Sequence, residues 1–193
     1  MKFYKLILTS ILVMVSYQVA LSQVHSIRTV DFRNFTFPAT YREGSRLDAF
    51  ALKNGQVNLS KELHFFLQSI SYDSINLGED DDDDIALVAV RRDDGGATYH
   101  TLYVYHMKKG RPKLLASFEF GDGLNIHLAA AFVAHGELVI ERYIQETADS
   151  ECCPSVIEIS YYKWKKDKFV LLDEPQRVPN GYVERQKKKN EKN

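Results

Sequence analysis

An unbroken run of six acidic residues, Glu79 to Asp84, is the part of the sequence best suited to chemistry. Like charges a few ångströms apart repel one another, so this run can fold tightly only where a cation neutralises it. Calcium is a suitable cation, because it takes about six to eight oxygen ligands from carboxylates, amides and carbonyls. The run therefore predicts either a calcium-binding loop or a solvated acidic loop with loosely held counterions.

The two cysteines, Cys152 and Cys153, are adjacent and have no other cysteine in the chain to pair with. Neighbouring Cα atoms lie about 3.8 Å apart, which is closer than ordinary disulfide geometry allows. A Cys152–Cys153 disulfide would therefore be strained, although an oxidising compartment favours it. Intermolecular pairing and two free thiols stay open as the second and third alternatives. Redox catalysis is not expected, because the active motifs place two residues between the cysteines.

The histidines show no spacing that is typical of a metal or catalytic site. His100 and His106 share a strand face, with Leu102 and Val104 between them, and lie about 20 Å apart at ~3.3 Å per residue. The sequence also lacks zinc-type spacings, a G-x-S-x-G elbow, a phosphate-binding loop and a dinucleotide fingerprint. We therefore predict surface or half-buried histidines and assign no catalytic residue.

Aromatic residues are concentrated in two segments of the chain. They are Tyr99, Tyr103 and Tyr105 in the first segment and Tyr161, Tyr162 and Trp164 in the second. Such side chains can line a sugar or peptide groove, or they can stabilise a sheet by pairing across its strands. The second interpretation is the favoured one.

The elements that must position these residues are strands, since alternating patterns recur along the chain and no long amphipathic helix stands out. Ile85 to Arg92 is apolar on both faces, which predicts a central strand covered on both sides. In the segment from Leu124 to Ala134, a short helix competes with a strand because of three consecutive alanines. Turn-forming residues separate the strand segments at Asn54-Gly55, Asp93 to Gly96, Lys109 to Pro112, His135-Gly136 and Lys165 to Lys168.

This pattern predicts a mostly-β fold: a single antiparallel up-and-down sheet, a sandwich or a partial propeller-like domain. The chain of 193 residues has room for one such domain, which we place at residues 23–178. Residues 179–193 are polar and rich in lysine, and are predicted to form a flexible basic tail.

The amino terminus has the layout of a secretory signal peptide over residues 1–22. Lys2 and Lys5 precede an apolar segment from Leu6 to Val19, and Ala20-Leu21-Ser22 supplies the small residues of a cleavage site. A single membrane anchor is the alternative, but the apolar segment is shorter than the ~20 residues that span a bilayer. We therefore expect a secreted or periplasmic protein without a membrane span after cleavage.

The formal charge of −1 gives no reason to expect a nucleic-acid partner. This total hides an uneven distribution, because the leader holds two lysines and residues 184–193 hold five basic and two acidic groups. Residues 23–183 then carry a formal charge of −6. A quarter of the acidic groups in that body lie in the acidic run, so the charge is local.

The segment from Asn76 to Ala86 resembles the D-x-N-G-D-G-x-x-D-I loop of the FG-GAP and VCBS-type calcium repeats in extracellular β-propeller proteins. The resemblance implies a calcium site with oxygen ligands from Asn76, Asp80, Asp82 and Asp84. The chain departs from that pattern at Gly78, which has no side-chain oxygen, and at Glu79 and Asp81, where the repeats have glycines. It also has one copy of a loop that propellers repeat in every blade.

A longer resemblance, over residues 70–172, is to a group of uncharacterised exported bacterial proteins. It rests on the segment from Gly110 to Asp122, the hairpin around Gly136 to Glu141, and Cys152 to Ser155 followed by a Tyr/Trp strand. This resemblance implies export and a β fold, and it carries no activity.

Together these features predict an exported, non-enzymatic β domain that acts as a binding or structural module of the periplasm or cell envelope. A solvated acidic loop is the favoured interpretation of the acidic run, and Ca²⁺ is the candidate cofactor if the run binds an ion. The expected partner is a protein or glycan of the envelope. An envelope hydrolase is the alternative. Convergent carboxylates or histidines in a pocket would favour the enzyme, whereas a rigid aromatic or acidic surface would favour the binding module.

Overall fold

The computed structural model describes residues 26–39, 47–78, 82–121, 126–147, 149 and 153–181, and for residues 82 and 126 it describes the backbone alone. The predicted leader and residues 182–193 of the predicted tail lie outside these ranges. Within them, two 3-10 turns, Ile27–Thr29 and Phe32–Asn34, precede twelve β-strands. The strands are β1 (Thr36–Pro38), β2 (Ala49–Ala51), β3 (Gln56–Asn58), β4 (Leu63–Asn76), β5 (Asp82–Asp94), β6 (Ala97–Lys108), β7 (Arg111–Phe120), β8 (Ile126–Ala134), β9 (Glu137–Ile144), β10 (Val156–Lys165), β11 (Lys168–Leu171) and β12 (Gln176–Pro179). The mostly-β prediction is confirmed.

The central sheet has the strand order β3-β4-β5-β6-β7, and every neighbouring pair is antiparallel. Each strand pairs with its predecessor in the chain, which is the up-and-down connection that the turn spacing predicts. The β4–β5 ladder is interrupted between Leu67 and Ser69, where Gln68 is an extra residue in β4. Such a bulge bends the strand and leaves the extra residue outside the ladder.

The outer sheet has the order β11-β10-β9-β8, and β12 also pairs with β10. The first half of β10 pairs with β12 and the second half with β11, so these short strands share one side of β10. Among the described strands, β8 is paired with β9 alone, and it has its own bulge at Ala129. β8 is therefore an edge strand with an interrupted ladder. A two-stranded sheet of β1 and β2 completes the strand pairing.

The central sheet is covered on both faces, so the fold has three layers. The described residues of the segments 27–39 and 47–52, named here the amino-terminal layer, pack on the face that carries Ala86, Val88 and Val90. The outer sheet packs on the opposite face, which carries Ile85 and Leu87. The prediction that Ile85 to Arg92 is a central, covered strand is confirmed, because alternate residues of β5 belong to two different cores.

Five two-residue turns connect paired segments, and both turn residues have positive φ in each. This is the type I′ geometry, whose twist matches that of the flanking strands. The turns lie at the predicted positions, although Lys166 and Asp167 adopt the left-handed conformation without a glycine, with φ values of 50° and 61°. The five pairs are Asn54-Gly55, Gly95-Gly96, Lys109-Gly110, His135-Gly136 and Lys166-Asp167.

The helix considered for Ala129 to Ala131 is wrong, since these residues lie in strand β8. Leu128, Ala131 and Val133 pack against the central sheet, and this burial outweighs the helix propensity of alanine. The bulge at Ala129 shifts the inward-facing positions by one residue, which obscures the alternation in the sequence.

The described structure continues past residue 178, where the sequence placed the end of the domain. Strand β12 extends to Pro179, and the next residue, Asn180, is buried. The backbone N–H of Asn180 donates to Ser155 O at 2.7 Å and its side-chain amide donates to Pro154 O at 3.0 Å. These bonds fasten the end of the domain to the loop that precedes β10.

Candidate functional site

Strands β4 and β5 bring three of the four predicted calcium ligands to one end of the central sheet. Asn76 lies directly opposite Asp82 across the hairpin, and Ser74 lies opposite Asp84. The fourth residue, Asp80, lies outside the described ranges. Among the described residues, no group of three or more Asp, Glu, His or Cys side chains has the arrangement of a metal site. The calcium site therefore stays a prediction.

The carboxylate of Asp84 already has protein partners. Arg28 donates through Nε to Oδ2 at 3.2 Å and through Nη2 to Oδ1 at 3.3 Å, and Ser74 Oγ donates to Oδ1 at 3.1 Å. The hydrogen bonds from Arg28 hold the pKa of Asp84 below its ordinary value. Asn76 is also engaged, because its Oδ1 accepts from the N–H of Gly78 at 2.8 Å. A calcium ion would have to compete with these contacts.

Three turns meet beside this hairpin and enclose an open depression of about 520 Å³, named here the end cleft. The β4–β5 connection contributes one wall, the β8–β9 turn a second, and the β10–β11 hairpin a third. Its lining residues are Asn76, Leu77, Gly78, His135, Gly136, Lys163, Trp164, Lys166 and Asp167. Asn76 thus belongs to the predicted calcium loop and to the end cleft.

Trp164, the single tryptophan of the sequence, is the largest side chain of the end cleft. Its ring meets the ring of Phe169 edge to face, with centroids 4.9 Å apart and an interplanar angle of 69°. The two residues are also Cα partners across the β10–β11 hairpin. This contact fixes the orientation of the indole, so one wall of the end cleft is a pre-organised aromatic surface.

The two predicted aromatic segments do not form one groove. Tyr103 and Tyr105 pack in the core beneath the amino-terminal layer, and the hydroxyl of Tyr103 donates to Pro38 O at 2.8 Å. Tyr162 packs on Phe118 in the core between the two sheets. The rings of these three residues contact rings of the facing layer and not of a paired strand, so they stabilise the packing between layers. Of the six aromatic residues, Trp164 alone lines the end cleft.

The prediction of surface or half-buried histidines is wrong for His100 and His106, which are 5% and 9% exposed. Both lie on the face of β6 that the outer sheet covers, with Leu102 and Val104 between them as expected. Nδ1–H of His100 donates to Gln68 Oε1 at 2.8 Å, and the ring lies 4.9 Å from that of His127 on β8. No spacing in the sequence indicates this pair, because the two histidines meet only when the sheets stack.

A second depression lies between the two sheets next to this histidine pair, with a volume of about 200 Å³, and is named here the inter-sheet cavity. Residues from the bulged parts of β4 and β8 face each other across it, above a floor from β5 and β6. Its lining residues are Gln68, Ser69, Ser71, Leu87, Ala89, Leu102, Leu128, Ala129, Ala130 and Ala131.

An ion-pair cluster around the buried Glu158 of β10 joins this strand to β9 and β12 in the outer sheet. Arg142 on β9 binds Oε1 of Glu158 through Nε at 2.7 Å and also through Nη2. Arg177 on β12 binds Oε2 at 3.1 Å. Burial alone would raise the pKa of Glu158, but the hydrogen bonds from the two arginines outweigh it and hold the pKa below its ordinary value. This cluster is part of the framework of the sheet.

The state of the cysteines stays a prediction, because Cys152 lies outside the described residues. Cys153 is half-buried in the connection between β9 and β10. That connection is organised by Asp149, whose Oδ2 accepts from Glu146 N at 2.9 Å, Ser155 N at 2.8 Å and Ser155 Oγ at 2.9 Å.

No family model, curated protein or solved structure shows significant similarity to this chain. In the described ranges, no helix has the length and apolar character needed to cross a bilayer. The fold and its clefts define a mostly-β sandwich domain, and its function must be inferred from its own geometry.

Proposed function

We propose that the protein is an exported, non-enzymatic β-sandwich that serves as a binding module in the periplasm or cell envelope. Its ligand site is the end cleft, and its ligand is a glycan. Export is supported by the amino-terminal sequence, in which lysines precede an apolar segment and a small-residue cleavage motif. The single observation that carries the binding role is the convergence of three turns around Trp164.

The size and lining of the end cleft favour a short saccharide over a protein surface. Its volume of about 520 Å³ is within the range of small-molecule sites, whereas a stable protein interface needs about 800 Å² from each partner. The indole of Trp164 offers an apolar face for the C–H groups of a sugar ring. Asn76, Lys163 and Asp167 offer donors and acceptors for its hydroxyl groups.

Two carboxylates with lowered pKa values, Asp84 and Glu158, make structural contacts with arginine, and this supports a binding module over a hydrolase. The pKa values of Asp84 and Glu158 are both lowered, and in each residue the contact responsible is with arginine. A glycoside hydrolase uses one carboxyl group with a raised pKa as its general acid. These two carboxylates are instead held ionised by the structure, and they tie strands and layers together.

Calcium is proposed as a stabilising ion for the acidic run next to the end cleft. The six acidic residues concentrate negative charge in one loop, and their repulsion decreases when a divalent cation binds. Because Asn76 begins the loop and lines the end cleft, calcium binding would also fix one wall of the ligand site.

The binding proposal can be tested with the mature chain, residues 23–193, because its single tryptophan reports on the end cleft. We expect oligomers of glucose or N-acetylglucosamine to change the fluorescence of Trp164 in a saturable way. In calorimetry, Trp164→Phe and Lys163→Ala should each weaken binding by about tenfold, which corresponds to ~1.4 kcal/mol.

Lys108→Ala is the matched control, since Lys108 is an exposed lysine on another strand end. Its affinity should equal that of the wild type. Binding of short peptides without binding of any saccharide would show that the ligand class is wrong. A saccharide that binds equally well to Trp164→Phe and Lys163→Ala would show that the end cleft is not the site.

A further inference from the structure

The contact between His100 and His127 connects the edge strand of the outer sheet to the central sheet. The two imidazole rings are 4.9 Å apart and inclined by 57°. His100 is anchored on the central sheet by Gln68, while His127 is half-buried at the start of β8. Nδ1 of His127 is buried and has no hydrogen-bond partner among the described residues.

The first half of β8 is weakly held apart from this contact. The strand pairs with β9 on one side, and the bulge at Ala129 interrupts that ladder directly after Leu128. Ala129, Ala130 and Ala131 border the inter-sheet cavity. Ala131 packs against the central sheet, but each of these small side chains buries less apolar surface than a larger residue would. Beyond the bulge the strand is fixed again, because Asp73 Oδ2 accepts the N–H of Val133 at 2.7 Å. Segments with few packed atoms and interrupted ladders open at low free-energy cost.

If His100 and His127 were both protonated, the charged groups around them would not neutralise the two positive charges. Strand β5 places Arg91 opposite His100, and Arg91 forms a two-point ion pair with Asp93 at 2.7 and 2.9 Å. Strand β4 contributes the uncharged Gln68, and β7 places Phe120 opposite His100. Strand β9 places Tyr143 opposite His127. Asp93, the carboxylate that acts on His100, is therefore already engaged with a guanidinium.

We propose that His100 and His127 form an acid-sensitive latch, which holds the first half of β8 against the central sheet when both rings are neutral and releases it when they are protonated. Two imidazolium ions at this separation would repel each other in a partly buried site. Release would expose the inward face of the first half of β8 and the serine-lined wall of the inter-sheet cavity. The latch is independent of the end cleft.

The direction of the pH dependence follows from the two histidines. Burial, the charge of His127 and the charge of Arg91 lower the pKa of His100 from 6.5 to about 4, with Asp93 acting in the opposite sense. Burial and Arg91 also lower the pKa of His127. In the released state both rings have ordinary pKa values, so release takes up protons between about pH 6.5 and pH 4. Acidification in this window therefore favours release, by up to about tenfold per pH unit for each proton taken up.

Backbone amide exchange measured by NMR, expressed as protection factors, tests the latch. Between pH 7 and pH 5 we expect the protection of residues 128–131 to fall by about tenfold or more, while the protection of Leu87 to Val90 in β5 stays constant. His127→Gln should weaken the pH dependence at β8, because one titrating ring and its repulsion of the other are lost, and His100→Gln provides a second variant should the first fold poorly. His135→Asn is the matched control, because it removes an exposed histidine from a turn where asparagine tolerates the positive φ.

Two results would overturn the latch. In one, the protection of β8 in the wild type has the same pH profile as in His127→Gln. In the other, β5 and β8 lose protection together, which would mean that the histidines act on global unfolding and not on β8.

Discussion

The ion pair between Arg28 and Asp84 changes how the acidic run is understood. One of its six carboxylates is neutralised from within the chain, by a residue 56 positions earlier that reaches over from the amino-terminal layer. The guanidinium also lies 5.4 Å from the centre of the Tyr72 ring. Both side chains of the pair are about half exposed, so its contribution to stability is small.

Calcium and Arg28 would compete for Asp84, and this competition gives the calcium proposal a sharp test. We expect Arg28→Ala to strengthen calcium binding, since it frees both oxygens of Asp84. The pair Asp80→Ala/Asp84→Ala should abolish the binding heat in calorimetry. Arg33→Ala is the control, because Arg33 is an exposed arginine of the same layer and is not paired with Asp84. Equal heats from the wild type and the double variant would remove the calcium site.

Glu158 illustrates what the sequence could not predict at the scale of single residues. In the segment Val156 to Tyr162 the alternation suggests that the isoleucines face inward and Glu158 faces outward. The structure shows the reverse, with Glu158 4% exposed and on the same side of β10 as Tyr162. The arginines that stabilise it come from β9 and β12. A pattern within one strand contains no information about counter-charges on its neighbours.

At the scale of elements, the hairpins were predictable because their turns depend on local conformation. Asn-Gly and Gly-Gly accept two successive positive φ values at little cost, so they indicate type I′ turns without knowledge of the fold. The stacking of the sheets was not predictable in this way. It determines that Leu128 and Ala131 face inward on either side of a bulge, and the sequence gives no sign of that bulge.

The Lys166-Asp167 turn is expected to be less than optimal. Both residues have φ values in the left-handed region. This conformation costs about 1 kcal/mol for a residue such as Lys166, whereas glycine, asparagine and aspartate tolerate it better. We expect the double replacement Lys166→Asn/Asp167→Gly to raise the free energy of unfolding by about 1 kcal/mol, measured by urea denaturation. An unchanged or lower stability would show that these side chains make compensating contacts in the end cleft.

Gly55→Ala provides the opposite comparison in a turn that is already of the Asn-Gly type. Gly55 has a φ of 86°, and an added Cβ would meet Leu67 Cβ at 3.7 Å, which is ordinary contact. The loss of stability in this variant would therefore measure the backbone conformation and not a clash.

At the scale of the whole molecule, the amino-terminal layer is an integral part of the domain. Phe37 is fully buried and its ring lies 5.1 Å from that of Tyr103 and 5.6 Å from that of Phe50. The face of the central sheet beneath it carries Ala86, Val88 and Val90, all of which are buried. Without this layer one whole face of the sheet would be exposed to water.

Replacement of Phe37 by alanine should therefore destabilise the entire chain. We expect a loss of about 3–5 kcal/mol in a single cooperative urea transition, because a large ring is removed from a packed core. Phe132→Ala is the control, since Phe132 is 38% exposed on β8, and should cost less than about 1 kcal/mol. A separate low-stability transition in Phe37→Ala would show instead that the amino-terminal layer unfolds by itself.

The three-layer arrangement also has a consequence for the order of folding. The central sheet grows by hairpins between neighbours in sequence, so each strand can pair as soon as the next one is available. Phe32, Phe35 and Phe37 are made early, but their ring partner Tyr105 belongs to β6. The aromatic side chains of the amino-terminal layer therefore stay uncovered until about 70 further residues have been added. The layer that is synthesised first cannot be buried until the middle of the sheet exists.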